Sequence, residues 1–365
     1  MTGDDAAAGR YARHRGIPGW RQERLTAATA VVLGVGALGN EVVKNVALAG
    51  VGRIVLCDPD DVDVGNLSRS VLFGPDDVGR PKVEAAAGAL RRLGLPVAVD
   101  ARRSSLTRGV GLGELADADM VLGCLDSTRA RLELLGRCAL ADATLVDGGT
   151  GPWSGEVRVR TDAESPCWSC SLGAWDRGVS DVPRDCREIQ GPGEEAASVV
   201  TTTLVAGWMT AVGLRLVFGE EPPARVLRID VAAGRTGGVE LTRDPRCPHH
   251  RPARPRPRRI PVTSRDTVAD LFAAVPAGSE VEVWSPLSIP LKCRSCGTRS
   301  DYDSSHAAAQ PARCVTCGAE VRIRRSKRLG EAGPQERLSV LGVAPQEMLP
   351  VRSPEGLQSW VRLSG

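Results

Sequence analysis

Three groups of residues carry types and spacings that could do chemistry. The first is the run Gly34-Val35-Gly36-Ala37-Leu38-Gly39, which separates a short apolar stretch from a helical pattern. Glycines at 34 and 36 permit a tight turn and close approach of backbone to phosphate. Gly39 lets the next helix lie near the strand, and the free N–H groups at the helix start attract anions. Asp58 follows about 20 residues on, after a second apolar run from Arg53 to Leu56, where a carboxylate can accept ribose hydroxyl hydrogens. Asp60, Asn66, Arg69 and Lys82 crowd the loop beyond it. That polar cluster suits a triphosphate, and a nicotinamide dehydrogenase, the minor alternative, has no need of it. Lysine is rare here (Lys44, Lys82, Lys292 and Lys327), so a compact point charge at Lys82 is informative, against the bland reading of a solvated helix start.

The second group centres on Asp126, in Gly123-Cys-Leu-Asp126-Ser at the end of a further apolar run. A carboxylate opposite the glycine turn can hold a magnesium ion that bridges phosphates, an ion that takes oxygen ligands. The competing reading makes Asp126 the cap of a helix beginning near Thr128.

The third group is cysteine. Cys167-Trp-Ser-Cys170 offers half of a tetrahedral zinc site and Cys247-Pro-His-His250 the other half, with His249 competing with His250 but less favoured by spacing. Cys293-Arg-Ser-Cys296 and Cys314-Val-Thr-Cys317 match a zinc ribbon, each pair followed by a glycine that allows a tight turn. Two structural zinc sites are expected. Cys186 lies in a Gly-, Pro- and charge-rich stretch, 176–197, that reads as a mobile surface loop. Between Arg184 and Arg187 its thiol would have a lowered pKa and serve as a nucleophile, or else be incidental. Cys57, Cys124 and Cys138 read as core.

The elements that must position these groups alternate. Strands are expected at 53–56, 97–101 and 120–125, a helix over 79–93 with Pro81 in its first turn, and residues 109–118 as connection. That alternation indicates an α/β fold with a doubly wound, Rossmann-like, mainly parallel sheet and its ligand crevice at the carboxyl ends of the strands. Residues 251–260, RPARPRPRRI, read as a stiff linker. A smaller α+β domain with the zinc ribbon follows over 261–365, with strands at 281–284 and 319–324 and a final pair at 341–349 and 359–363. The domains are therefore 1–250 and 261–365, as the 365-residue length allows.

A formal charge of +3 spread through a chain with 25% charged residues gives no global field for nucleic acid. The N-terminus has no basic and apolar signal pattern, and the apolar segment from Ser198 to Phe218 is broken by Thr201, Thr202, Thr203 and Arg215. It reads as a buried helix rather than a membrane span. A cytoplasmic, reducing location follows, in which the eleven cysteines are metal ligands or thiols rather than disulfides.

These residues resemble the ThiF/MoeB family of ubiquitin-activating-enzyme-like adenylyltransferases. The carriers are GVGALG at 34–39, Asp58 and Asp60, NLSR at 66–69, RPK at 80–82 and RYAR at 10–13, and the likeness covers about residues 8–250. It implies ATP as cofactor, with Asp58 on the ribose, Asn66, Arg69 and Lys82 on the phosphates, and Asp126 on magnesium. It also implies a homodimer in which Arg13 reaches into the partner's ATP site, and a Cys186 that can take an acyl group or relay sulfur. The implied reaction is adenylation of the C-terminal glycine of a small ubiquitin-like or sulfur-carrier protein. The alternatives are a peptide-adenylating enzyme of natural-product biosynthesis, acting on a precursor peptide, and an inactive nucleotide-binding scaffold. The chain departs from the family pattern at His14, Ser70, Gly123 and Ser127, where Gln, Gln, Asp and Asn are usual.

Overall fold

The computed structural model describes residues 9–172, 198–289, 291–300, 312–314, 316–321 and 324–365. Two compact units emerge, Met1–Leu106 with Leu115–Pro252, and Thr107–Glu114 with Ala253–Gly365.

The first unit is built on an eight-stranded sheet. Its strands are β1 (Thr29–Leu33), β2 (Arg53–Cys57), β3 (Ala98–Arg102), β4 (Met120–Gly123), β5 (Leu145–Thr150), β6 (Ser154–Arg160), β7 (Val226–Asp230) and β8 (Arg235–Val239). Their order is β3-β2-β1-β4-β5-β6-β7-β8. The first five in space pair parallel, and β5 to β8 continue as an antiparallel meander. The order reverses at β1, so the carboxyl ends of β1 and β4 flank the crevice that doubly wound sheets use for ligands.

Among the described residues, four long helices cover this sheet: α1 (Ala37–Ala49), α2 (Lys82–Arg92), α3 (Thr128–Ala141) and α4 (Val199–Val217). Val42, Val43 and Val46 of α1 and Val205, Met209 and Val212 of α4 are buried with Val32, Leu56 and Val146 of the sheet in one core. Gly50 closes α1 in the left-handed conformation at φ 90°, with its N–H on the carbonyls of Val46 and Ala47. Pro81 stands at the cap of α2 rather than inside its first turn, because its extended ψ of 129° precedes the helix.

By length and composition α4 could cross a membrane, but half of its apolar window is buried in this unit. The expected buried helix is therefore buried on one side, since it lies on the outside of the sheet. Val200, Leu204 and Trp208, spaced four apart, are 49, 43 and 37% exposed.

The second unit contains a five-stranded sheet of β9 (Arg258–Ile260), β10 (Glu280–Ile289), β15 (Arg324–Arg328), β16 (Met348–Arg352) and β17 (Gln358–Leu363), in the order β15-β10-β16-β17-β9. Two short ladders, β11 (Leu291–Lys292) with β12 (Arg299–Ser300) and β13 (Ala312–Arg313) with β14 (Glu320–Val321), flank the cysteine pairs. A core of Leu271, Val281, Leu329, Leu349, Val351 and Val361 fills this unit. The Trp284 and Trp360 rings stack at 5.3 Å, each indole N–H donating to a backbone carbonyl, Met348 and Arg254 respectively.

Three expectations are corrected here. Residues 251–260 are not linker throughout, because Arg258–Ile260 pairs parallel with β17. Residues 109–118 are not a plain connection. They include the short helix Leu112–Asp117, and Thr107–Glu114 groups with the second unit, where Leu112 N–H donates to Glu347 and Gly113 N–H to the Gln346 carbonyl. The final strand pair forms, but its first member begins at Met348 rather than 341.

Gly39 sets how closely α1 lies on β1, since a Cβ there would meet the Gly34 carbonyl oxygen at 2.0 Å. Gly39→Ala is expected to cost about 3 kcal/mol, as overpacking against backbone does. A urea midpoint equal to that of the parent would refute the close approach.

Candidate functional site

At the switch point lies a cavity of about 680 Å³, bounded by the turn after β1, the end of β4 and one face of β5 to β7. Gly36, Ala37, Asn66, Arg69, Lys82 and Asp126, all expected from the sequence, line it together. Gly36 is the cap of α1, so the helix N-terminus opens into the cavity. No protein atom lies within 4 Å of where a Gly36 Cβ would be, so packing of the chain itself does not demand glycine there.

Gly34 and Asp58 stand one layer behind. Gly34, at φ 88°, has room for no side chain, since a Cβ would meet the Cys124 carbonyl oxygen at 2.4 Å. Asp58 is 5% exposed, and its two oxygens accept the backbone N–H groups of Val35 at 2.6 Å and Asp60 at 2.8 Å. Burial raises its pKa, against which the two N–H donors and Lys82 act. Asp58 thus ties the second strand to the glycine turn, while a carboxylate's remaining lone pairs can still accept hydroxyls. Lys82 pairs with Asp60 at 2.9 Å, and Arg69 donates to the Gly65 carbonyl at 2.8 Å. Asn66 accepts the Asp63 N–H within a reciprocal cap of the turn Val64–Ser68.

Ser127, not Asp126, caps α3, with its hydroxyl accepting the Ala130 N–H at 3.3 Å. The cap reading of Asp126 is thereby replaced. Gly123 also has a local reason, because a Cβ there would lie 2.6 Å from a carboxylate oxygen of Asp147, its neighbour across β5. Asp147 fills the space that an acidic side chain at 123 would need.

Arg13 is exposed and is not among the cavity's lining residues, and Cys186 lies outside the described residues. Cys124 and Cys138 are buried as expected, and burial pushes both thiols up, that of Cys138 to about 12.

Sequence reasoning missed Arg131, Glu156, Arg158, Arg228 and Asp230, the further charged residues of the lining. A signal was present in the alternation Glu156-Val157-Arg158-Val159, which puts charge on one face and valine on the other. With Arg69 and Lys82 they leave cations in excess over the carboxylates Asp126, Glu156 and Asp230, an environment for a polyanion.

The cysteines form two groups. Cys167, Cys170, Cys247 and His250 bring their ligand atoms together, as do Cys293, Cys296, Cys314 and Cys317. The sulfur of Cys167 lies 3.8 Å from those of Cys170 and Cys247, and in the second group the pairs Cys293–Cys317 and Cys296–Cys314 stand at 3.6 and 3.5 Å. A tetrahedral zinc with Zn–S bonds of about 2.3 Å has sulfur–sulfur edges of about 3.8 Å, which these groups fit. His250 enters the first group through Nε2, 3.0 Å from the Cys170 sulfur, and its Nδ1 faces the Ala163 carbonyl at 2.9 Å. That carbonyl can only accept, which leaves the Nε2 lone pair free for a metal. His249 turns instead toward Gly136 of α3.

A model of the ThiF family matches residues 10–249. The chain belongs to the ThiF family. The sulfur carrier protein ThiS adenylyltransferase of Escherichia coli (strain K12) is 30% identical over 231 residues, which cover 62% of this chain and 87% of that protein. The molybdopterin-synthase adenylyltransferase of Salmonella typhimurium is 31% identical over 235 residues, 64% and 91% of the respective chains. The adenylyltransferase and sulfurtransferase MOCS3 of Mus musculus is 37% identical over 164 residues, 44% of this chain and 36% of that one. Among solved structures, E. coli MccB with MccA-N7isoASN shares the fold at a TM-score of 0.56 and 21% identity, over 66% of this chain and 75% of that one.

The first cysteine group generates a direct expectation. Cys247→Ser is expected to lower bound zinc by about one equivalent and to depress the melting temperature, because metal binding free energy is folding free energy at such sites. Unchanged metal content by elemental analysis would show that the group holds none.

Proposed function

We propose that the protein activates a carboxylate as its adenylate. The carboxylate oxygen attacks the α-phosphorus of ATP, a mixed anhydride forms, and the bond from the α-phosphorus to the bridging oxygen breaks to release pyrophosphate. The observation that carries this reading is the meeting of an open helix N-terminus at Gly36 and Ala37 with Asn66, Arg69, Lys82 and Asp126 in one cavity.

In this reading the N–H groups of α1 and the side chains of Asn66, Arg69 and Lys82 hold the phosphates, Asp58 and Asp60 the ribose side. Catalysis then rests on position and charge neutralisation rather than on a covalent intermediate. Lys82 shares its charge between Asp60 and the incoming phosphate. Asp126 would hold magnesium, which supplies further neutralisation of phosphate charge. Each cysteine group would hold one structural zinc.

Arg13 is exposed in its own chain, as a residue that serves a second copy must be. The exposed apolar row Val200, Leu204 and Trp208, together with exposed Leu48 and Ile17, supports a homodimer, in which such residues would be covered. The substrate we infer is the C-terminal glycine of a small ubiquitin-like or sulfur-carrier protein, supported by the likeness to enzymes acting on ThiS and to molybdopterin-synthase adenylyltransferases. A cytoplasmic location suits its reduced cysteines. Cys186 would act after adenylation, as acceptor in a transfer step.

Exchange of labelled pyrophosphate into ATP, dependent on a carrier protein ending in Gly-Gly or on a precursor peptide, tests the reading. Asp126→Ala and Arg69→Ala are each expected to reduce exchange about 100-fold or more with the fold intact, as loss of a transition-state charge contact does. Full exchange in either variant removes that residue from the mechanism. ATP binding without exchange for any acid favours the inactive scaffold. Cys186→Ser is expected to retain exchange while losing any downstream transfer, and loss of the adenylation step itself would overturn this division of roles.

A further inference from the structure

The face of β5 to β7 that lines the cavity carries a ladder of charge that neither the ATP site nor the cysteine chemistry uses. Arg158 stands directly across from Asp147 on β5, and Glu156 directly across from Arg228 on β7. Arg158 pairs with Asp147 at 3.2 Å and with Glu156 at 3.0 Å, and Glu156 pairs with Arg228 at 2.9 Å. The position opposite Glu156 on β5 is Gly149, over which the Arg131 guanidinium lies. Gly149 is constrained by packing, since a Cβ would lie 2.5 Å from the Arg131 guanidinium.

Arg158 is held from the other side by an aromatic ring. Its guanidinium carbon sits 4.2 Å over the ring of Trp168, the residue between the metal-group ligands Cys167 and Cys170. A guanidinium over a Trp face is fixed in plane as well as attracted. Its five N–H donors are only partly used by Asp147 and Glu156, through three contacts. Two donors stand beyond those contacts, on a side chain that lines the cavity. At 12% side-chain exposure the group is largely desolvated, so a hydrogen bond to it is strong and its misplacement costly.

We propose that the Arg158 ladder binds the acyl end of the substrate, donating to the peptide carbonyls just before the reacting carboxylate, and that Trp168 is the positioning residue through which the Cys167–Cys170 turn holds Arg158. The proposal rests on the adenylation reading above. Its chemistry is that of a free peptide C-terminus, whose successive carbonyl acceptors match the N–H donors of an arginine that lines the cavity. Arg69 and Lys82 serve the nucleotide, so the two ends of the cavity are separable by mutation.

The test uses the full chain with its metal and two probes, ATP and a synthetic peptide ending in Gly-Gly with a free carboxylate. Trp168→Leu keeps apolar bulk without the π face, Trp168→Phe keeps the face, and Arg158→Lys removes the fork. Trp168→Leu and Arg158→Lys are expected to raise the KM for the peptide in pyrophosphate exchange about tenfold, with the Kd for ATP within about twofold of the parent and zinc content unchanged. Trp168→Phe is expected to restore KM to within about twofold. Deuterium uptake over residues 154–160 should rise in Trp168→Leu and not in Trp168→Phe. An unchanged peptide KM in Trp168→Leu overturns the proposal, as does an equal loss of ATP affinity, which would mean a general structural role. A variant that loses zinc is set aside for Arg158→Lys, whose unaltered KM is equally decisive against it. Absence of exchange in the parent, with both the peptide and a Gly-Gly carrier, instead overturns the adenylation reading and this proposal with it.

Discussion

The site depends on a backbone crossing at which no side chain fits. Gly34 N–H donates to the Cys57 carbonyl at 2.9 Å, and Cys124 N–H donates to the Leu33 carbonyl at 2.8 Å, so the ends of β1, β2 and β4 are locked to one another. A Cβ on Gly34 would strike Cys124, and a Cβ on Gly39 would strike Gly34. This crowding brings the N-terminus of α1 opposite Asp126 and leaves Gly36 as the glycine that faces open space. Asp58 completes the lock by accepting the Val35 N–H, and its buried carboxylate stays useful because backbone N–H groups offset part of its desolvation.

Around that lock, charge is divided by distance. Arg69 and Lys82 stand near the helix N-terminus, where phosphate charge would be concentrated, and the Asp147–Arg158–Glu156–Arg228 ladder runs away from it on strands whose opposite face is buried Val157 and Val159. Alternation of side chains along β6 lets one strand serve core and cavity at once. The Cys167–Cys170 turn has a part in this beyond bringing thiols together, because one of its two intervening residues, Trp168, backs Arg158. The second cysteine group belongs to the other unit, whose own core and sheet are built without contribution from the ATP-site motifs.

Much of the nucleotide half was legible because its signals are local. The glycine turn, Asp58, the Asn66-to-Arg69 stretch and the cysteine pairs are each defined within a few residues, where turn geometry and ligand spacing leave little choice. The antiparallel half was not legible in the same way. Arg158 acquires its meaning from Asp147, Glu156 and Trp168, and nothing in residues 154–160 alone tells which face meets the cavity or which strand pairs with it. Residues 109–118 read as a plain connection for the same reason, since Leu112 and Gly113 find their partners Glu347 and Gln346 more than 230 residues away in sequence. The helix Val199–Val217 was apolar enough to suggest full burial, yet only its packing on α1 and the sheet decides which side is covered.

The sequence by itself determined the glycine turn, the acid at the end of the second strand, the two cysteine frameworks and the alternating pattern that makes a doubly wound sheet, because each follows from short-range sterics, period or ligand chemistry. Tertiary structure alone decided that Asp147 occupies the space beside Gly123, that Ser127 rather than Asp126 caps α3, and that a charged ladder floors the far side of the cavity. Those outcomes depend on strand register and on which atoms a fold brings within a few ångströms, and such distances are set by packing of segments far apart in the chain.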